Sequence, residues 1–371
     1  MNPETPSRPV PEKATAKRQW MLLAGLLVAG LLLVYWLESR PNRAAASTGN
    51  NNATPALYQE YRTYPMMGTI VEVNLYGEKT AALRAADAVY GQFLEIEKLA
   101  NVYNPQSELS LLNRTAADRP FVCSPQLWDL LQESRRAWTI SHGAFDITVK
   151  PLMDLWGFYR KRGEQVPSRE EVAAVMKKVG LSKVRFDDAA RSVRFTVPGM
   201  SFDLGGIAKG YAVGLAADAV KKCGIRRGII NLGGNMYCFP DPPPDKPDYT
   251  IGIRNPLDRN AVCGSIHVRD IALATSGNYE RYVVINGQHF GHHMNPATGL
   301  PWDGTLSATI VTRRAVDSDL LSTSIFIGGA KLAAEIVKEI PGTSILIIRR
   351  KPGAPIEVLR FGPLDWGPIE L

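Results

Sequence analysis

Asp203-Leu-Gly-Gly-Ile-Ala-Lys-Gly-Tyr-Ala-Val-Gly214 is the stretch around which the rest of the chain arranges itself. Alternating apolar residues lead into it at Val193, Phe195 and Val197, and Leu215, Ala219 and Val220 follow at helical spacing. That pattern predicts a strand, a glycine turn and a helix start. Paired glycines let the backbone approach a ligand, and a helix start offers unpaired N–H groups to an anion. Lys209 adds a point charge suited to phosphate, and Asp203 a carboxylate at the mouth of the turn. A plain helix cap at Asp203 followed by packing glycines explains the same residues. The spacing matches neither the P-loop nor the dinucleotide glycine fingerprint.

Working outward, residues 184–186 and 193–197 read as strands around a polar turn, and 228–232 as a buried strand ending at Gly233-Gly234-Asn235. Upstream, 69–76 alternates like a strand, while 80–99, 125–138 and 168–179 have helical spacing. Downstream, short strands alternate with turns over 249–310, followed by a long helix at 317–337 and a strand at 344–348. Strands and helices mix without regular βαβ units. The expected class is therefore α+β, with mixed or antiparallel sheets and packed helices.

The 371 residues suffice for a sizeable core, and the net charge of +7 is a mild basic excess. No basic stripe with interleaved aromatics occurs, which argues against nucleic acid and leaves an anionic small molecule or a membrane surface. Cys123, Cys223, Cys238 and Cys263 form no Cys-x-x-Cys pair, so zinc ribbons and thioredoxin-like motifs lack support. A Cys238–Cys263 disulfide and four buried free thiols both remain open.

Residues 1–19 are polar and carry Arg8, Lys13, Lys17 and Arg18. Residues 20–37 are uncharged, about 18 residues and near bilayer-spanning length, with Trp20, Tyr35 and Trp36 as interface anchors. The basic excess before this span predicts a cytoplasmic tail, a single transmembrane anchor and an exported remainder. A cleaved signal peptide ending near Ala44-Ala45-Ala46 is the rival. A linker is expected over 38–56 and a folded domain over 57–371.

Three histidines fall in His289-Phe-Gly-His-His-Met-Asn-Pro-Ala-Thr-Gly299, which reads as a solvated loop, a general base or a metal cluster. Asp319 and Thr323 stand at i and i+4 on one helical face, a hard-oxygen pair suited to Mg²⁺ or an ordinary cap and a helix-facing threonine.

Taken together, the motifs resemble the ApbE family of FAD:protein FMN transferases. They are Met67-Gly-Thr69, Tyr103 with Ser107-Glu-Leu-Ser110 and Asn113, Ser141-x-Gly-Ala-Phe-Asp146, Asp203-Leu-Gly-Gly-Ile-Ala-Lys-Gly210, Asn231-Leu-Gly-Gly-Asn235, Thr275-Ser-Gly-Asn278, His292-x-x-Asn-Pro-x-Thr-Gly299 and Asp319-x-x-Ser-Thr323. Their order is the family's, and they extend over residues 65–329.

The resemblance implies an FAD site at Met67, Tyr103, Ala144, Phe145, Asp146, Asp203, Lys209 and Met294. It implies Mg²⁺ held by Asp319, Thr323 and the Gly206 carbonyl, and a base at His292. His293 stands where the family usually has an aliphatic residue, so two adjacent histidines compete for that role. The implied activity is transfer of FMN from FAD to a Thr or Ser hydroxyl of an exported acceptor domain in a membrane redox complex. The rivals are an FAD pyrophosphatase and a non-catalytic flavin-binding protein.

Overall fold

The computed structural model describes residues 57–160, 162–163, 165–350 and 353–371. The expected tail, anchor and linker over 1–56 lie outside the described residues.

Eight strands form one sheet, in the spatial order Tyr58–Met66, Thr69–Gly77, Arg227–Leu232, Asn235–Cys238, Ile271–Gly277, Thr305–Thr312, Ser344–Arg350 and Ile356–Phe361. Every neighbouring pair in it is antiparallel. The alternation read in 69–76 has a direct cause: Val71, Val73 and Leu75 are fully buried on one face, while Ile70 and Glu72 face outward.

That face is covered by the helices Lys79–Ala100, Ala208–Lys222 and Ala315–Glu339, whose apolar residues join it in the main core. In the first helix the buried positions are Ala82, Ala85, Ala86, Val89, Phe93, Ile96 and Leu99, the three-and-four spacing of one helical stripe. The Ala315–Glu339 helix is long and apolar enough to cross a membrane by length and composition. Here it is a core helix, with Leu320, Leu321, Ile325 and Phe326 fully buried. Its path breaks at Gly329, whose φ is 66°.

The opposite face of the sheet is covered by the hairpin Tyr249–Arg254/Val262–Val268 and by Trp366 near the C-terminus. A smaller sheet joins Phe121–Val122, Ser192–Phe195 and Val184–Asp187. A separate hairpin pairs Tyr282–Ile285 with Gln288–Gly291.

Three features depart from the sequence expectation. The strand Tyr58–Met66 has no apolar alternation because it is the sheet edge, and Glu60 is one of its two buried residues. The strand before the glycine turn stops at Phe195, earlier than expected. All four cysteines are free, and Cys223 is only half-buried. Burial pushes the Cys238 thiol up to about 12, which makes it an inert core group.

Candidate functional site

A cleft of about 500 Å³ opens where several chain turns meet the starts of two core helices. Met67, Tyr103, Ala144, Phe145, Asp146, Asp203, Gly206, Lys209, His292, Met294, Asp319 and Thr323 all line it. Residues far apart in the sequence thus share one wall.

Met67 and Gly68 form the two-residue turn between the first two strands, with φ of 51° and 73°. Two positive φ values are what such a hairpin needs. The Met67 amide donates to Glu97 Oε1 at 3.0 Å, which fixes the turn against the first helix.

Asp203 is not a helix cap. Its Oδ1 accepts from the Gly205 amide at 2.6 Å and its other oxygen accepts from the Tyr159 hydroxyl. The helix itself starts at Ala208, behind Ile207, with no side-chain cap. Nor is that helix start left open to an anion. The Ile207 and Ala208 amides donate to the Leu204 carbonyl and the Gly210 amide to Asp319 Oδ2 at 2.7 Å. Positive charge for a ligand therefore comes from Lys209 rather than from free amides.

Asp146 lines the cleft with its carboxylate engaged internally. Oδ1 accepts from the Thr148 amide and hydroxyl, and Oδ2 from the Leu181 amide at 3.0 Å. It ties the Ala144–Asp146 turn to the loop at Gly180, and burial raises its pKa despite these donors. Asp146 is a structural anchor of the wall.

The Ala208–Lys222 and Ala315–Glu339 helices touch at Gly210. A Cβ there would lie 2.4 Å from both the Ala315 carbonyl oxygen and the Asp319 Cβ. Gly210→Ala is expected to cost about 1–3 kcal/mol of stability, read as a lowered Tm, because helix backbone must move to admit the methyl. Gly206 is close but less tight: a Cβ would sit 3.1 Å from Thr323 Oγ1 and 3.2 Å from the Phe145 ring.

The donors present fit a hard divalent cation. Asp319 gives a buried carboxylate, raised in pKa by burial and held down by Lys209 and backbone amides. Thr323 gives a hydroxyl beside Gly206 on the cleft lining. Among the described residues no group of three His, Cys, Asp or Glu converges, which disfavours a histidine metal cluster. His289 stands apart from the other two, stacked on Tyr282 in the outer hairpin at 4.6 Å.

The ApbE family model matches residues 67–347, nearly all of this architecture. The chain belongs to the ApbE family.

A Klebsiella pneumoniae FAD:protein FMN transferase is 28% identical over 309 residues, covering 81% of this chain and 94% of that one. A Rhodobacter capsulatus FAD:protein FMN transferase is 30% identical over 72% of this chain. Among solved structures, the flavin transferase ApbE from Vibrio cholerae superposes with a TM-score of 0.73 at 25% identity, covering 82% of this chain and 97% of that one. The ApbE protein of Thermotoga maritima gives 0.73 at 29% identity, covering 81% and 96%.

Within this ApbE-family cleft the two histidines differ. His292 Nδ1 lies 3.0 Å from the Arg281 carbonyl, which makes Nδ1 the protonated nitrogen and leaves Nε2 with a lone pair. Burial, with Arg281 and Lys209 nearby, pushes its pKa down to about 4. His293 is buried, lies between the rings of His292 and Phe326, and its Nδ1 has no partner among the described residues. Burial and the His292 ring hold it well below the ordinary histidine value.

The structure also brings in residues that the sequence left without a role. The Arg281 guanidinium donates to the Tyr103 hydroxyl at 2.7 Å and to the Phe158 carbonyl at 2.6 Å, and it lies over the Tyr159 ring. Arg281 thus links the exposed Tyr103 loop to the strand end that carries His292. Ser276 and Ser322 exchange a 2.8 Å hydrogen bond, and Ser322 donates to the Asp319 carbonyl. Asn235 reaches both Lys209 and Asp319. Only the motifs containing Asn235, Ser276 and Ser322 signalled these positions, and no signal singled out Arg281.

Proposed function

We propose that this chain transfers FMN from FAD to a threonine or serine hydroxyl of an acceptor protein, releasing AMP. The observation that carries the reading is the meeting of Lys209, Asp319, Thr323 and His292 in a single cleft. Family membership supports it, since relatives of comparable length bear that activity in their names.

Asp319, Thr323 and the Gly206 carbonyl would hold Mg²⁺, which when bound supplies charge neutralisation for a diphosphate. Lys209 adds a cation on the diphosphate, and Met67, Tyr103, Ala144, Phe145 and Met294 supply apolar and aromatic surface for the flavin nucleotide. Asp203 fixes the turn that leads to Gly206 and Lys209.

In the transfer the acceptor hydroxyl oxygen forms a bond to the FMN-side phosphorus, and the bond from that phosphorus to the oxygen bridging to AMP breaks. The hydroxyl proton passes to His292 Nε2, and AMP leaves with the electron pair of the broken bond. Such a reaction depends on positioning and charge more than on covalent help from the enzyme. His292 suits the proton transfer better than His293, because its tautomer is fixed and His293 is packed beneath it.

The uncharged run over 20–37 supports a single-pass anchor in a bacterial inner membrane, with the catalytic domain on the periplasmic side. An exported domain of a membrane redox complex is then the acceptor.

The test is mass spectrometry of a candidate acceptor domain incubated with the protein, FAD and Mg²⁺. A mass gain equal to FMN on a Thr or Ser is expected. AMP without acceptor modification would indicate the pyrophosphatase instead, and FAD binding without AMP would indicate a non-catalytic flavin binder.

A further inference from the structure

Three chain segments converge on one buried amide. Lys209 lies in the first turn of the Ala208–Lys222 helix, Asp319 in the Ala315–Glu339 helix, and Asn235 opens the strand after the Gly233-Gly234 turn. Asn235 is 3% exposed and Asp319 4%. With the amide oriented to satisfy both neighbours, Asn235 Nδ2 donates to Asp319 Oδ1 at 3.0 Å and Oδ1 accepts from Lys209 Nζ at 3.0 Å. The second Asp319 oxygen accepts from Gly210.

Lys209 and Asp319 act on each other electrostatically and share the same amide. In a site of low dielectric the two charges attract strongly, and a direct ion pair is the simplest outcome. The ion pairs at this end of the helix instead join Arg136 and Arg314 to Glu133 and Asp317. Among the described residues none joins Lys209 to Asp319 directly; the asparagine amide stands between them. An amide is the neutral side chain that can do this, because one end donates to a carboxylate while the other accepts from an ammonium.

We propose that Asn235 is a positioning residue that holds the Lys209 ammonium and the Asp319 carboxylate apart, so that each serves the bound substrate and cation instead of neutralising the other. Without the amide, Lys209 swings onto Asp319 and occupies the carboxylate lone pairs that a divalent cation needs. The cost then appears in cation affinity first and in chemistry second. The inference rests on the reading of Asp319 as a metal ligand and Lys209 as a diphosphate contact.

The test uses the full chain with FAD bound and Mn²⁺ as an EPR-visible probe, so that no transfer is read. Asn235→Ala is expected to weaken Mn²⁺ binding by about tenfold or more, in the range typical of lost ligand-orienting partners. The deciding comparison is Asn235→Ala combined with Lys209→Ala. If the amide acts by separating the pair, removing the lysine restores Mn²⁺ affinity to that of Lys209→Ala alone. A purely structural asparagine would show no such recovery: the double variant would bind Mn²⁺ no better than Asn235→Ala, and the proposal would fall. Should Asn235→Ala not fold, Asn235→Ser in the same two backgrounds reads the same way. A wild-type chain that binds FAD and Mn²⁺ yet transfers no FMN would sink the transferase reading and leave this one standing.

Discussion

Asp319→Ala is expected to lower the rate of FMN transfer by about 10³-fold or more, the several kcal/mol that a lost cation site removes from transition-state charge stabilisation. The residue has two duties that the experiment can separate. In the proposed site its charge would serve the cation, and its Oδ2 accepts from the buried Gly210 amide at the helix contact. Alanine abolishes both and leaves that amide without a partner, at a structural cost of about 1–3 kcal/mol. Asp319→Asn keeps an acceptor for Gly210, removes the charge and turns a donor toward the Asn235 amide. It should melt closer to the wild type than alanine does and transfer as poorly as alanine. An active Asp319→Asn at ordinary Mg²⁺ concentrations would remove the carboxylate from the chemistry. Thr323→Ala, which removes one neutral oxygen, should have the smaller effect, seen mainly as a higher Mg²⁺ requirement.

His292→Ala is expected to reduce kcat by about 10²–10⁴-fold with FAD binding retained, as for loss of a general base. His293→Ala should act differently. It deletes a buried ring stacked on Phe326, so its main effect is on stability. The pH profile carries a second check. A base must be unprotonated to act, and His292 stays neutral down to about pH 4 because burial and the neighbouring cations oppose its protonation. At saturating Mg²⁺, kcat/KM should therefore stay level from pH 8 to well below 6.5, the ordinary histidine value. A fall in kcat/KM centred near 6.5 that disappears in His292→Ala would contradict this environment.

The same shifts set a stability trend. Both histidines have folded pKa values below their unfolded value near 6.5. As pH falls through 6.5, the unfolded chain takes up protons that the folded chain refuses, so their contribution opposes folding increasingly down to about pH 4. Thermal melts at pH 7 and pH 5 should differ in that direction, and His293→Phe should reduce the difference.

Much of the secondary structure was legible because it depends on near neighbours. The helix at 80–99 and the strand at 69–76 advertise their buried faces through spacings of three or four and of two. The edge strand Tyr58–Met66 gave no such signal, since an edge with polar groups on both faces has no alternation to read. The long helix at 317–337 was readable as a helix, and its apolar surface alone could not separate a core helix from a membrane span. Its place against the sheet settles that.

The candidate site divides along the same line. The sequence by itself determined which residue types were available: a lysine after paired glycines, an Asp–Thr pair on one helical turn, adjacent histidines near a Pro–Gly turn, and their order along the chain. Tertiary structure decided what those groups do to one another. It turned the Asp146 carboxylate onto backbone amides, tied the helix-start amides to Leu204 and Asp319, fixed the His292 tautomer on a carbonyl, and set Asn235 between Lys209 and Asp319. Local periodicity reports whether a residue is buried. Which polar groups share that burial depends on strands and helices meeting from distant parts of the chain, and the hydrogen bonds that must then be satisfied are fixed only when they meet.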